Sequence, residues 1–388
     1  GPVNTVVSSN FIDKVRFRAS AQTTANLSPH LFLKGYAAYG VRDKKWKYEG
    51  EVEYSFLKKQ YSPEEFPRNS IAISTRYDVM APSDAMLPTD KDNVFTSLKT
   101  QTIDQMSYFR QYNIRYVYEF DNHFGITAQL RHITQNPTGT LFYRTLGGQI
   151  VPELTQSEAT LSLRYAPGEK VVVTKQRRHP VNHNYPIYTL MHTTVFKDVL
   201  GGDYASNYTE LSVTKRFWLN SYGRIDIYGR AGAQWNRVPF PLLITPAANN
   251  SYIIQRSMFN MINNMEFMND RFVSLDVQWD LSGKLFNRIP LLKHLKWREV
   301  IGFKTLYGTL TDKNNPFKQG NQSDLFEFPS RNGQPTSFVM GDTPYMELNV
   351  GIHNIFKILR VDYVRRLNYL NAPNAKKNGV RFVLQFDF

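Results

Sequence analysis

Val380-Arg381-Phe382-Val383-Leu384-Gln385-Phe386-Asp387-Phe388, the end of the chain, alternates between apolar and polar almost without a break. Val380, Phe382, Leu384, Phe386 and Phe388 share one face of an extended chain; Arg381, Gln385 and Asp387 take the other, with Val383 the exception. A period of two marks a strand with one apolar and one wet side. Soluble domains seldom end on an exposed hydrophobic strand, because its open edge invites aggregation. A membrane barrel ends this way by necessity, since its last strand closes the cylinder against the first. The expected partner of this closing strand is the segment near residues 15–23. Phe382, Leu384, Phe386 and Phe388 are also expected to form the aromatic signal by which barrel-assembly machinery recognises a client.

The same alternation recurs upstream. Trp46, Tyr48, Gly50, Val52, Tyr54 and Phe56 oppose Lys45, Lys47, Glu49, Glu51, Glu53 and Ser55. Tyr112, Ile114, Tyr116, Tyr118 and Phe120 oppose Gln111, Asn113, Arg115 and Glu119, and comparable runs cover 158–165, 224–235 and 273–281. Weaker copies lie at 15–23, 31–41, 71–79, 124–133, 209–219, 346–352 and 359–363, with the poorest at 188–196, 259–267 and 300–307. Segments of about ten residues separated by turns are the signature of a transmembrane β-barrel. The fold expected is therefore all-β, an antiparallel transmembrane outer-membrane barrel of about 16 strands, with 14 as the alternative. That alternative arises because long and short connections fail to alternate across 259–343.

The chain has 388 residues, ample for one large barrel. Mean hydropathy is only −0.43, and no stretch approaches the roughly 18 apolar residues of a membrane helix. Barrel strands hide their hydrophobicity in alternation, so a low average is compatible with one. Aromatics at 14% suit the girdles that flank a barrel's apolar band. No leader precedes Gly1, so an envelope location expects the numbered chain to be a mature form or the C-terminal part of a longer protein.

The polar faces carry charges of both signs: Arg16, Arg18, Glu51, Arg115, Arg131, Arg164, Asp226, Arg230, Asp276, Arg360 and Asp362. A single sheet of so many strands must curl or close. Closing it with the apolar side outward puts these charges in the lumen. They either pair and plug it or line a charge-selective path. The net charge of +14 is scattered rather than gathered into a stripe, and no RNA- or zinc-finger pattern occurs, so nucleic acid is not an expected partner. Outer-membrane lipids, lipopolysaccharide among them, and other envelope proteins are.

Two local features stand apart. Residues 289–298 combine Pro290 at a helix start with Leu291, Leu292, Leu295 and Trp297 among basic residues, the pattern of a short amphipathic helix at a membrane interface or packed on its own protein. Gly229, Ala231 and Ala233 lie on the outward face of their strand, where small residues either let a partner's backbone approach or, the commoner case, are simply tolerated against lipid.

Catalytic patterns are absent: no G-x-S-x-G, P-loop, dinucleotide or H-E-x-x-H sequence occurs. His179 and His183 have the spacing of a helical metal pair, but Pro180 interrupts the helix and no acidic ligand adjoins. His123, His132, His192 and His353 lie in or beside strands without an assignable nucleophile. No cofactor, metal or catalytic residue is expected. The lack of Cys removes disulfide and thiolate chemistry.

The chain also resembles an uncharacterised family of outer-membrane barrels that follow a carboxypeptidase-regulatory-like domain in Gram-negative bacteria. The matching stretches are Thr23-Thr24-Ala25-Asn26-Leu27 with Pro29-His30-Leu31-Phe32, and Gly35-Tyr36-Ala37-Ala38-Tyr39-Gly40. Phe259-Asn260-Met261-Ile262-Asn263 with Glu266-Phe267, and Arg288-Ile289-Pro290-Leu291-Leu292, match as well. The resemblance implies that residues 1–388 are a single barrel domain, the C-terminal part of a longer protein, and carries no activity with it. Residues 351–367 and the terminal strand more distantly resemble the end of a BamA-type surface-antigen barrel, whose Val-Arg-Gly-Phe lid motif this sequence lacks. The function expected is that of a non-enzymatic scaffold or subunit in outer-membrane assembly or export. The alternatives are a solute channel with a charged lumen and, third, a lipid-active enzyme.

Overall fold

The structure, a computed structural model, describes residues 3–85, 93–173, 178–181, 184–255, 257–318, 320 and 325–384. It is all-β, and the one α-helix among the described residues has six, Pro290–Leu295. A single 16-stranded sheet runs in chain order with every neighbouring pair antiparallel. Its strands are β1 Val7–Ser8, β2 Arg16–Gln22, β3 Leu31–Gly40, β4 Trp46–Ser55, β5 Asn69–Met80, β6 Gln105–Glu119, β7 Phe124–Gly139 and β8 Leu154–Tyr165. They continue as β9 Ile187–Phe196, β10 Ser206–Trp218, β11 Arg224–Gln234, β12 Arg271–Asp280, β13 Arg298–Thr309, β14 Tyr345–Ile355, β15 Leu359–Arg366 and β16 Asn378–Leu384.

The strand count matches the sequence reading, but the membership differs at two places. Residues 259–267 form no strand. The first strand is instead Val7–Ser8, too short for alternation to reveal. With 259–267 removed, 235–270 is one long connection. The connections 81–104, 140–153, 235–270 and 310–344 then leave one rim, and the tight turns 120–123, 219–223 and 356–358 fall on the other together with the longer 166–186 and 281–297. Counting 259–267 as a strand is what broke the order of connections there and raised the 14-strand alternative.

Register puts side chains of one parity on a common inner face. Glu51 meets Ser74, Arg115 meets Gln129, Glu158 meets Arg131, and Ser212 meets Arg230, each pair on neighbouring strands. Exposure is inverted relative to a water-soluble sheet. Ile73, Leu130 and Val273 on the outer face are 59%, 57% and 58% exposed, whereas Arg16 and Asp78 on the inner face are wholly buried. Aromatic rings cluster along both rims of the outer face. Tyr39–Trp46, Tyr48–Tyr77 and Tyr77–Tyr108 line one rim at centroid distances of 5.2, 6.1 and 6.1 Å. Tyr118–Phe120, Phe120–Phe124 and Phe124–Tyr165 line the other at 4.7, 5.8 and 6.5 Å.

Among the described residues β1 and β16 do not pair, so the sheet is not closed strand to strand. The terminal strand does not lie against β2, whose neighbours are β1 and β3. The outer edge of β16 is met by the connection 235–270: Phe382 donates to the Tyr252 carbonyl and accepts from the Ile254 N–H, both at 2.8 Å. Tyr252 in turn donates to Leu98 at 2.9 Å, and Ser9 donates to the Ser97 hydroxyl at 2.8 Å. Two irregular segments thus bridge the seam between first and last strands.

Candidate functional site

The charged inner face and the segment folded against it form the site. Each predicted inner-face charge has a partner. Arg16 grips Asp78 through both terminal nitrogens, at 2.6 and 3.1 Å, and Asp13 at 3.4 Å. Arg18 stacks on the Tyr36 ring 4.0 Å from its centroid. Arg115 reaches Glu51 at 3.3 Å, Arg131 reaches Glu158 at 2.6 Å, and Arg164 holds Glu169 at 2.8 and 2.9 Å. Arg216 binds Asp226 at 2.5 and 2.8 Å, Arg230 binds Glu210 at 2.8 and 2.9 Å, and Lys304 lies 3.2 Å from Asp276. Arg360 closes the set on Asp362 at 2.6 and 2.5 Å. Opposite charges on adjacent inward positions neutralise one another: Arg16, Asp78 and Asp362 are wholly buried, whereas Arg131 and Asp226 stay 35% and 39% exposed.

The connection 235–270 folds into the space around which the sheet curls. Phe240, Leu243, Ile244, Ala247, Ala248, Met258, Phe259, Met261, Ile262, Met265, Phe267 and Met268 are all buried. They make two apolar clusters with Phe272, Leu306, Tyr345 and Val364 of the strands on one side and with Leu141, Tyr143 and Leu154 on the other. An irregular buried backbone needs polar partners for its N–H and C=O groups, and four consecutive strands supply them. Glu347 on β14 accepts the N–H groups of Asn260 and Met261 at 2.9 and 3.0 Å. Lys304 on β13 donates to the Met258 carbonyl at 2.5 Å. Arg366 on β15 holds Glu266 at 2.6 and 3.1 Å, both side chains essentially inaccessible, and also reaches the Met261 carbonyl at 3.2 Å. Arg381 on β16 donates to the Asn260 carbonyl at 2.6 Å.

The same segment reaches β6, where Asn264 donates to the Gln105 carbonyl at 3.2 Å. One segment touching β6 and β13–β16 together requires a sheet wrapped around it. Residues 325–340 add a second inward layer, with Leu325 and Phe326 buried and Phe338 donating to the Glu266 carbonyl at 2.8 Å.

Sequence reading missed the strand residues that hold this segment, Glu347, Lys304 and Arg366, and Glu266 within it. The register aligns Lys304, Glu347 and Arg366 across β13, β14 and β15 on the inner face. What they bind is largely main chain, and that leaves no mark in side-chain pattern. The family stretch 259–267 turns out to be the clamped part of the inner segment.

Other predicted positions are dispersed. Gly229, Ala231 and Ala233 face outward, beside a shallow groove of about 390 Å³ lined by Tyr188, Val213, Lys215, Phe217 and Ile227. The helix stops at Leu295, so Trp297 lies beyond it, after the left-handed Lys296; Leu291 and Leu295 are exposed. Phe382 and Leu384 are half-buried on the outer side of β16, and Phe386 and Phe388 lie outside the described residues. His179 sits on the short strand Arg178–Pro180, paired with Val171–Val173, and His183 lies outside the described residues.

The histidines show what chemistry the arrangement supports. His132 contacts the Ser157 hydroxyl at 2.9 Å, but that hydroxyl donates to the Val199 carbonyl at 2.7 Å and is buried, with Ser157 only 4% exposed. His353 contacts Asp280 at 3.1 Å, an ion-pair geometry at the strand end without a hydroxyl on the ring. Among the described residues no cluster of three metal-ligating side chains occurs.

Residues 3–317 match the family described as "Family of unknown function (DUF5686) C-terminal domain". The chain belongs to this family. No curated protein matches it. Among solved structures it is similar to BamA from Haemophilus ducreyi lacking POTRA domains 1–3, with a TM-score of 0.59 at 8% identity over 97% of this chain and 69% of that one. It is also similar to CdiB from Escherichia coli, with a TM-score of 0.53 at 8% identity over 97% of this chain and 60% of that one. At such identity the likeness speaks for the fold, that of outer-membrane β-barrels. The DUF5686 match takes in the inner segment and ends before β14, so the strand residues Glu347, Arg366 and Arg381 lie beyond it.

Proposed function

We propose that residues 1–388 form one outer-membrane β-barrel domain that serves as a non-enzymatic subunit of an envelope assembly or export complex. The outward apolar band between two aromatic rims, together with the BamA- and CdiB-like fold, supports residence in the outer membrane. The observation that carries the rest is the inner segment. Residues of the connection 235–270, packed on the inner side of the sheet and anchored through the buried Glu266–Arg366 pair and main-chain hydrogen bonds, support a lumen shut to free diffusion at rest. A charge-selective path presents its charges to passing ions, whereas here the inner-face charges are paired with one another or hold the inner segment.

In this reading the long connections of one rim present surface to other envelope proteins. The Leu291–Leu292–Leu295 helix rests at the membrane interface, and outer-membrane lipids, lipopolysaccharide included, cover the outer face. The terminal residues 382–388 act as the assembly signal, and the Gly229–Ala231–Ala233 face admits a partner's backbone.

Planar-bilayer recording tests the proposal. The intact protein should not conduct, and replacing 239–268 with a short Gly-Ser linker should open steady conductance. Affinity capture from native outer membranes should recover envelope proteins in stable stoichiometry with the full-length chain. Steady conductance by the intact protein, with no such partners, would overturn this reading in favour of a channel.

A further inference from the structure

We propose that the outer edge of β16 at Phe382 is a docking site for an extended peptide strand, occupied at rest by the chain's own residues 252–254 and vacated when the Glu266–Arg366 clamp opens. In an antiparallel ladder successive residues point their main-chain groups to opposite sides. Phe382 directs both of its groups away from β15, and both are taken by Tyr252 and Ile254 at 2.8 Å. An exposed strand edge is a template for another strand. The occupant here is no strand of the sheet: it lies parallel to β16 and, among the described residues, meets it at one position, Ile253–Phe382. So short a pairing is far easier to exchange than the seven-position ladder on the other side of β16.

The occupant is also the front end of the plug. Arg381 holds the Asn260 carbonyl at 2.6 Å on the inner side, and its neighbour Phe382 holds 252–254 at the edge. One strand therefore grips one segment at two points. The segment is also held by a doubly bonded buried ion pair, Glu266 on Arg366. Removing it lets the segment withdraw, and withdrawal empties edge and lumen together.

The resident sequence Tyr252-Ile253-Ile254 defines what fits: an extended stretch with an aromatic and β-branched side chains and free main-chain groups. A segment of a partner protein with strand-like alternation has that chemistry. The partner's source rests on the assembly or export reading; the edge chemistry does not.

Because the native chain has no Cys, introduced thiols report alone. Residues 1–388 carrying Ile253→Cys and Phe382→Cys should form the disulfide readily under copper–phenanthroline oxidation, and adding Glu266→Gln should lower the yield at least threefold. A synthetic peptide of residues 250–255 carrying Ile253→Cys should label Phe382→Cys protein at least fivefold more when Glu266→Gln is also present. An Ala159→Cys/Thr194→Cys pair, facing partners on β8 and β9, should cross-link equally in both backgrounds and so report an intact wall. If Glu266→Gln disrupts that control pair, Arg366→Lys, which keeps the charge but not the two-pronged contact, takes its place in the same comparison. Peptide labelling that ignores the clamp, or a resident disulfide that survives its loss in full, overturns the proposal. These thiol readouts in detergent need neither partner nor conductance. A conducting wild-type protein with clamp-dependent labelling would sink only the function proposed above.

Discussion

Arg366 and Glu266 show at single-residue scale why the interior holds. Both are inaccessible, and they meet through two bonds. A buried pair adds little net stability over an apolar replacement, yet removing one partner strands the other charge, at a cost of about 3–5 kcal/mol. Glu266→Ala should therefore lower unfolding stability by about that amount, read from urea titration of tryptophan fluorescence in lipid vesicles. The exposed Lys318–Asp312 pair, at 3.4 Å, is the contrast. Asp312→Asn should leave the midpoint unchanged, because a solvated pair contributes almost nothing.

Glu169, in the connection after β8, gives a pH signature. Burial pushes its carboxyl up, but Arg164, Arg178 and the Tyr185 hydroxyl together pull further, so its pKa lies below the ordinary value of 4.5. A carboxylate depressed in the folded state contributes stability that is present above its unfolded pKa and lost as pH falls through the folded one. The connection 166–186 should thus become protease-sensitive as pH drops below about 4.5. Glu169→Gln should be sensitive at neutral pH already and show no acid transition in the same assay.

At the scale of the element, β11 shows that one strand serves two different environments. Its outward Gly229 has only a Leu275 methyl at 4.0 Å beside the place a Cβ would take, whereas inward Gly232 would put one 2.6 Å from the Phe272 ring and 3.0 Å from the Tyr208 hydroxyl. Gly229→Val should be tolerated, and Gly232→Val should cost about 1–3 kcal/mol by overpacking the space beside the inner segment. Heat-modified gel mobility of the two variants measures the difference. The connection 235–270 teaches the opposite lesson about elements. It has no periodicity, yet it is as buried as a core helix. Its asparagines stand in for regular structure: Asn249 donates to the Ile253 carbonyl at 3.0 Å and to Asn260 at 2.9 Å. Side-chain amides both donate and accept, so they satisfy a backbone that has no ladder.

At the scale of the whole molecule, the outer face is apolar and the inner face ionic, which suits a hydrocarbon surround. Leu211, near the middle of β10 and 46% exposed, faces outward. Leu211→Lys should destabilise the protein in lipid vesicles by about 2–4 kcal/mol, the cost of a lysine at mid-membrane depth. The same charge at Phe217, toward the strand end, should cost about 1 kcal/mol or less, since the penalty falls near the interface. Equal penalties at the two positions would argue against a membrane around this face. These variants also separate the fold from the plug, because neither touches the inner segment.

Alternation is a local property, and so the strands were legible from local pattern: β4, β6, β11 and β12 follow the expected runs closely, and the inward parity of Arg16, Arg131, Arg230 and Asp362 followed from the same count of two. Where pattern was weak, as at Val7–Ser8, or apolar without period, as at 259–267, local reading failed, because burial there depends on residues far away in the chain. The sequence by itself determined an all-β chain of about 16 strands and which side of the strongly alternating strands carries charge. Only the tertiary structure decided what those charges do. The pairing of Arg366 with Glu266, of Glu347 with a bare backbone, and of β16 with residues 252–254 in place of β2 required the sheet to curl and bring together segments that no sequence spacing connects.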